Sequence, residues 1–180
     1  EEIGHAASTG ATDGKFFFAV FSTGDLVAVD MNGAVAWTRE FGTPKSNYGY
    51  ASSLIAYRHL FVQIDDSHGA SLYALAPATG KTVWQKKRAV RESWASPMIV
   101  VSGDREMVVL AENPTATAYD VNTGAVIWST ECLSGEVAPS PAYASGTIIV
   151  ANERARLSAI SVEGGTVAWS GEDDLPNVAS

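Results

Sequence analysis

Ala118-Tyr119-Asp120-Val121-Asn122-Thr123-Gly124-Ala125-Val126-Ile127-Trp128 is the stretch whose reading decides the fold. It reads as a strand, a tight polar turn and a second strand ending in tryptophan. Asp and Asn favour such turns because their side chains hydrogen-bond the local backbone, and Gly tolerates positive φ. The pattern recurs upstream at Ala28–Trp37 and Ala74–Trp84, and downstream at Ala159–Trp169. In every copy the tryptophan follows the turn glycine by four residues: Gly33 to Trp37, Gly80 to Trp84, Gly124 to Trp128 and Gly165 to Trp169. A spacing held in four places marks an internal repeat.

A second marker sets the period. Ser8-Thr9, Ser52-Ser53, Ser96-Pro97 and Ser140-Pro141 are spaced by 44 residues. Each opens an apolar run, followed by a turn, a second apolar run and the strand–turn–strand that ends in tryptophan. Four strands in about 40–45 residues is the period of a β-propeller blade. No segment carries a 3.6-residue apolar period. The chain is therefore read as all-β: a β-propeller with four blades of four antiparallel strands, in one domain over residues 1–180. The blades are expected at about 5–41, 50–88, 94–132 and 138–171, with first strands at 6–11, 51–57, 95–101 and 139–144.

A blade buries its faces by stacking on its neighbours. Trp37, Trp84, Trp128 and Trp169 are expected to wedge between blades, since a buried indole removes about 150–250 Å² from water. The small residues Ala28, Ala74 and Ala159 leave room for that packing. Gly33, Gly80, Gly124 and Gly165 serve the turns. Val178-Ala179-Ser180 repeats the serine marker 11 residues after Trp169. The four blades are accordingly read as part of an eight-bladed ring, with a closed four-bladed ring as the second reading. Two blade faces would then lack neighbours, and self-association completing a ring is expected.

Composition excludes several classes. The 180 residues carry a net charge of −8, and an acidic surface repels phosphate backbones, so nucleic acid is not an expected partner. No apolar run approaches the roughly 20 residues of a membrane helix. Cys132 is the only cysteine, so there is no internal disulfide and no cysteine–histidine metal spacing. It is read as a small buried or half-buried residue, not a nucleophile, beside Glu131, which would raise its pKa. Glu1 is not an initiator methionine, and the chain is read as a processed or trimmed piece.

The repeat resembles the pyrroloquinoline-quinone-like (PQQ-like) β-propeller family, whose pattern is Ala-x-Asp-x-x-Thr-Gly-x-x-x-Trp. Residues 118–128 match its turn and tryptophan closely. Ala28, Asp30, Gly33 and Trp37 also match, with Asn32 in the threonine position. The second copy has Ala76-Pro77 at the aspartate and keeps Thr79, Gly80 and Trp84. The fourth keeps Ala159, Gly165 and Trp169, with Ser161 at the aspartate. The resemblance covers nearly the whole chain and implies one of two functions. One is a non-catalytic scaffold of the BamB-like branch, periplasmic or extracellular, with no cofactor. The alternative is a fragment of a quinoprotein dehydrogenase using PQQ and calcium. Such enzymes usually carry adjacent cysteines, which Cys132 alone does not supply, and no carboxylate–asparagine calcium set is recognisable. The scaffold reading is favoured.

Strand alternation places the connections between blades on the same face as each blade's middle turn. That face is expected to gather Tyr48, Tyr50, Asp65, Asp66, His68, Arg91, Glu92, Trp94, Glu136 and Arg154, together with Glu112, Asn113, Asn152 and Glu153. Trp94 stands outside the repeat, between Arg91-Glu92 and Ser96-Pro97. A loop aromatic among charges suits recognition of a protein or peptide partner; the competing reading tucks it against the ring. Asp65-Asp66-Ser67-His68 offers oxygen and imidazole ligands but matches no metal loop, and is read as a solvated turn. No catalytic residue and no metal site are expected. Small-ligand binding in a central channel is a third, weaker function.

Overall fold

The computed structural model describes residues 8–46, 49–67, 69–90, 93–152 and 156–172. Among these the chain is all-β, with strands and turns and no helix. It divides into two compact units, Glu1–Ala89 and Val90–Ser180. The first unit holds β1 (Ala11–Thr12), β2 (Phe16–Val20), β3 (Asp25–Asp30) and β4 (Val35–Glu40), then β5 (Ile55–Tyr57), β6 (His59–Asp66), β7 (Gly69–Leu75) and β8 (Thr82–Arg88). The second holds β9 (Met98–Ser102), β10 (Arg105–Ala111), β11 (Thr115–Asp120) and β12 (Val126–Glu131), then β13 (Ala142–Ala144), β14 (Thr147–Asn152), β15 (Arg156–Ser161) and β16 (Val167–Gly171). Each group of four forms one antiparallel sheet in sequence order. These are the four expected blades.

The tryptophan repeat has a local cause. Ala28, Ala74, Ala118 and Ala159 pair across the sheet with Trp37, Trp84, Trp128 and Trp169, and the register shifts immediately after each alanine. The bulge absorbs one extra residue of the turn and holds the glycine-to-tryptophan offset constant. All four alanines are fully buried, because a larger side chain would occupy the space beside the indole. The turn between β11 and β12 is closed by Asp120, whose carboxylate accepts hydrogen bonds from the Thr123 hydroxyl at 2.7 Å and the backbone N–H groups of Asn122 and Thr123. The Thr123 bond, ahead of the backbone bonds, lowers the pKa of Asp120 below the ordinary carboxylate value.

The first strand of each sheet is shorter than expected: residues 8–10, 51–54, 95–97 and 139–141 lie outside the strands. Their hydrogen bonds run to the neighbouring sheet of the same unit instead. Thr9 N–H donates to Ser53 Oγ at 3.2 Å and Leu54 N–H donates to Thr9 O, while Ser96 N–H donates to Ser140 Oγ at 3.1 Å. Both serine bonds span 44 residues, one repeat, with Ser53 and Ser140 as the acceptors.

Within each unit the indole wedge is direct. In the first, Trp37 Nε1 donates to Pro77 O at 2.8 Å, and a Cβ on Gly80 would lie 2.7 Å from the indole. In the second, Trp128 Nε1 donates to Val162 O at 3.0 Å, and a Cβ on Gly165 would lie 2.8 Å from that ring. Glycine is required at both sockets because a side chain would occupy the space the indole fills. Trp84 is half-buried against Phe61 of its own sheet, with ring centroids 5.8 Å apart. Trp169 departs from the expected wedge: it is 50 % exposed. Its strand β16 is the outer strand of its sheet.

Candidate functional site

Strand length decides where the polar loop residues go. In the first unit β6 and β7 pair as far as Asp66 opposite Gly69, so the expected turn 65–69 shrinks and Asp65 becomes a strand residue opposite Ala70. Asp65 is buried, corrected from a solvated turn position. Its carboxylate forms an ion pair with Arg88 on β8 and accepts from Gln63 Nε2 at 2.9 Å. Arg88 also donates to Ser71 O. Tyr50, expected on the loop face, is buried as well. Desolvation first, and the negative charge of Asp65 second, push its hydroxyl pKa far above the ordinary value. The Tyr50 hydroxyl has no hydrogen-bond partner among the described residues. Asp66 is half-buried, at the rim of a shallow cleft with Tyr73, Lys87 and Arg88.

In the second unit the loop end is built by side chains that tie loops to one another. Asn113, after β10, donates through Nδ2 to Gly135 O in the connection between the two sheets. Asn152, at the end of β14, donates through Nδ2 to Ser134 O in the same connection. Ser93 Oγ donates to Ala111 O at 3.2 Å. The buried Glu112 carboxylate accepts from Thr117 Oγ1 at 3.1 Å and Thr115 Oγ1 at 3.4 Å. Trp94 N–H donates to Val137 O at 2.9 Å, which joins the segment before β9 to the segment before β13. Trp94 is half-buried and Glu136 is exposed beside that connection. Two middle-turn asparagines thus meet the connection between the two sheets of this unit. Tyr48, His68, Arg91, Glu92, Glu153 and Arg154 lie outside the described residues. Ser93 and Ser134 were missed by the sequence reading; Ser93 stands directly before the loop tryptophan, the one signal that pointed to it.

Cys132 is buried in the core of the second unit, among Ala116, Trp128 and Leu133. Burial, the dominant effect, raises its thiol pKa. Native protein at neutral pH is therefore expected to react slowly with iodoacetamide, and protein in urea to react about 100-fold faster or more, since only the thiolate attacks. Mass spectrometry of the alkylated chain checks this; equal rates would mean an accessible thiol.

Among the described residues no three His, Cys, Asp or Glu side chains group as a metal site. Glu112 is already engaged by two threonines, and Cys132 has no second cysteine in the sequence.

A PQQ-repeat family model, described as outer membrane protein assembly factor BamB, matches residues 68–180. Outer membrane protein assembly factor BamB of Yersinia pestis is 26% identical over 166 residues, covering 86% of this chain and 40% of that protein. Quinoprotein alcohol dehydrogenase PedE of Pseudomonas putida is 28% identical over 103 residues, covering 57% of this chain and 16% of that protein. The crystal structure of BamB from Moraxella catarrhalis superposes with a TM-score of 0.71 at 19% identity, covering 92% of this chain and 52% of that one. The chain thus spans less than half the length of the two curated relatives it matches.

Proposed function

From a chain that belongs to the BamB family of PQQ-repeat β-propellers, we infer a non-enzymatic scaffold that binds a protein or peptide partner through the loop end of its blades. The observation that carries this reading is the Trp94–Val137 backbone bond. It fixes a half-buried loop tryptophan against a connection that also bears the exposed Glu136. The polar side chains beneath, Ser93, Asn113 and Asn152, hold the loops in place. A pre-ordered aromatic beside a charge binds without a large ordering cost. The assembly role in the matched family's description supports a protein partner and an extracytoplasmic, periplasmic location. The reading requires neither PQQ nor calcium.

The test uses an array of extended peptides rich in aromatic and basic residues, with hits measured by fluorescence anisotropy. Trp94→Ala is expected to weaken binding by about 30-fold. Asp104→Ala, on the turn between β9 and β10 at the other end of the blade, is expected to change nothing. Equal affinities in all three proteins would remove the loop end from consideration. Dye-linked alcohol oxidation after addition of PQQ and calcium would replace this function with the dehydrogenase reading.

A further inference from the structure

We propose that the cleft between the two sheets of the first unit binds a saccharide, through a polar mouth and an aromatic wall. Register decides what this cleft presents. Ile64 pairs with Ser71, and Ser71 with Lys87, so the three stand in one row across β6, β7 and β8 on the face turned toward the first sheet. The adjacent row, Asp65, Ala70 and Arg88, points to the opposite face, where the buried ion pair sits. Further along β6 and β7 the first face is apolar: Leu60, Val62 and Leu75 are buried in one cluster with Phe18 and Leu26 of the first sheet. At Ser71 that packing stops and polar side chains take over. Asp66 and Lys87 stand at the mouth of the cleft, whose volume is about 450 Å³, within the roughly 300–1,000 Å³ usual for small-molecule sites.

The wall is ordered before any ligand arrives. Phe41, directly after β4, and Tyr73 on β7 pack with ring centroids 5.0 Å apart. Both rings are half-buried and line the cleft. The Arg39 guanidinium lies 4.7 Å from the Phe41 centroid and 5.4 Å from that of Tyr73, and donates to Gly80 O and Thr82 Oγ1 at 2.9 Å each. Gln85 Nε2 donates to Tyr73 OH at 3.0 Å and to Ser71 Oγ at 3.3 Å. One amide thereby fills an acceptor position on both hydroxyls and leaves their hydrogens to donate.

Charges of both signs beside oriented hydroxyls select the ligand class. A cation is opposed by Lys87 and an anion by Asp66, while an apolar ligand would withdraw both charges from water without compensation. Each hydroxyl of a sugar both donates and accepts, so neighbouring hydroxyls satisfy Asp66 and Lys87 together through charge-assisted bonds. The C–H face of a sugar ring is apolar and slightly positive, which suits the negative face of an aromatic ring such as Phe41 or Tyr73. The ligand is bound and not transformed. Ordered parts keep the cost of binding low, and the openness of the cleft sets the affinity near the millimolar range.

Saturation-transfer NMR of the full chain with maltotriose, cellotriose and chitotriose tests this, followed by titration of each sugar that responds. At least one trisaccharide is expected to receive saturation from the aromatic protons and to bind in the millimolar range. Asp66→Ala and Lys87→Ala, both at the mouth and outside the packed core, are each expected to weaken that binding about 10-fold. Trp94→Ala, in the second unit, is expected to leave sugar binding unchanged, so the peptide reading and this one fail separately. No transfer to any of the three sugars overturns the proposal, as does sugar binding that either mouth variant leaves intact. Hexanoate that binds as tightly as the sugars, and is lost only in Lys87→Ala, would make the cleft an anion site and overturn it as well.

Discussion

Trp128→Ala is expected to destabilise the Val90–Ser180 unit by about 3–5 kcal/mol, the range for removing a large aromatic from a core. The side chain is 7 % exposed and packs in a cluster with Val109, Ile148, Ile160 and Val162. The substitution leaves a cavity over Gly165 and removes the donor to the Val162 carbonyl. For a domain whose total stability is on the order of 5–15 kcal/mol, that is a large share, and the melting point should fall by roughly 15–30 °C. Trp128→Phe keeps most of the apolar contact and loses the hydrogen bond, so a cost of about 1–3 kcal/mol is expected. Trp169→Ala, in the same repeat position, is expected to stay within about 0.5 kcal/mol for the isolated chain. Urea unfolding followed by near-ultraviolet circular dichroism measures all three. Equal losses for Trp128→Ala and Trp169→Ala would sink the joint as the source of stability.

The second large effect is expected at Asp65. Its side chain and that of Arg88 are almost completely withdrawn from water. Asp65→Ala leaves a guanidinium buried without its ion-pair partner, which costs about 3–5 kcal/mol. Asp66→Ala, one residue along and half-buried, is expected to cost no more than about 0.5 kcal/mol. Replacing both partners, as Asp65→Leu with Arg88→Met, should recover most of the loss, because an apolar pair carries no desolvation penalty. Thermal unfolding of the four proteins in one buffer decides the matter. An Asp65→Ala loss no larger than that of Asp66→Ala would show that the pair contributes little.

These two sites mark where the sequence is legible and where it is not. The indole positions are readable because the joint needs an alanine opposite, a bulge and a glycine socket, and all three leave a fixed spacing. The marker segments are readable for a similar reason, since Ser53 and Ser140 each accept from a residue 44 positions upstream. Asp65 misleads because a polar run with a following glycine has the composition of a turn. β6 and β7 carry their ladder two residues further and draw it into the sheet. Tyr50 misleads in the same way, being a connection residue that folds inward. Serine marker segments look like strands because their apolar alternation serves burial, whereas their backbone bonds go to the neighbouring sheet.

Local spacing by itself determined that this protein is all-β, that it has four four-stranded sheets, and that one indole ends each of them. Those features are encoded in contacts a few residues apart, or one repeat apart. Which indole is covered and which is bare, which carboxylate is paired and which meets water, were decided only by the tertiary structure. Trp128 is covered because the neighbouring sheet of its unit accepts it, and Asp65 is paired because β6 and β7 extend their ladder and bring it to Arg88 within one sheet; a repeat of 44 residues writes the same letters whether a face is packed or open.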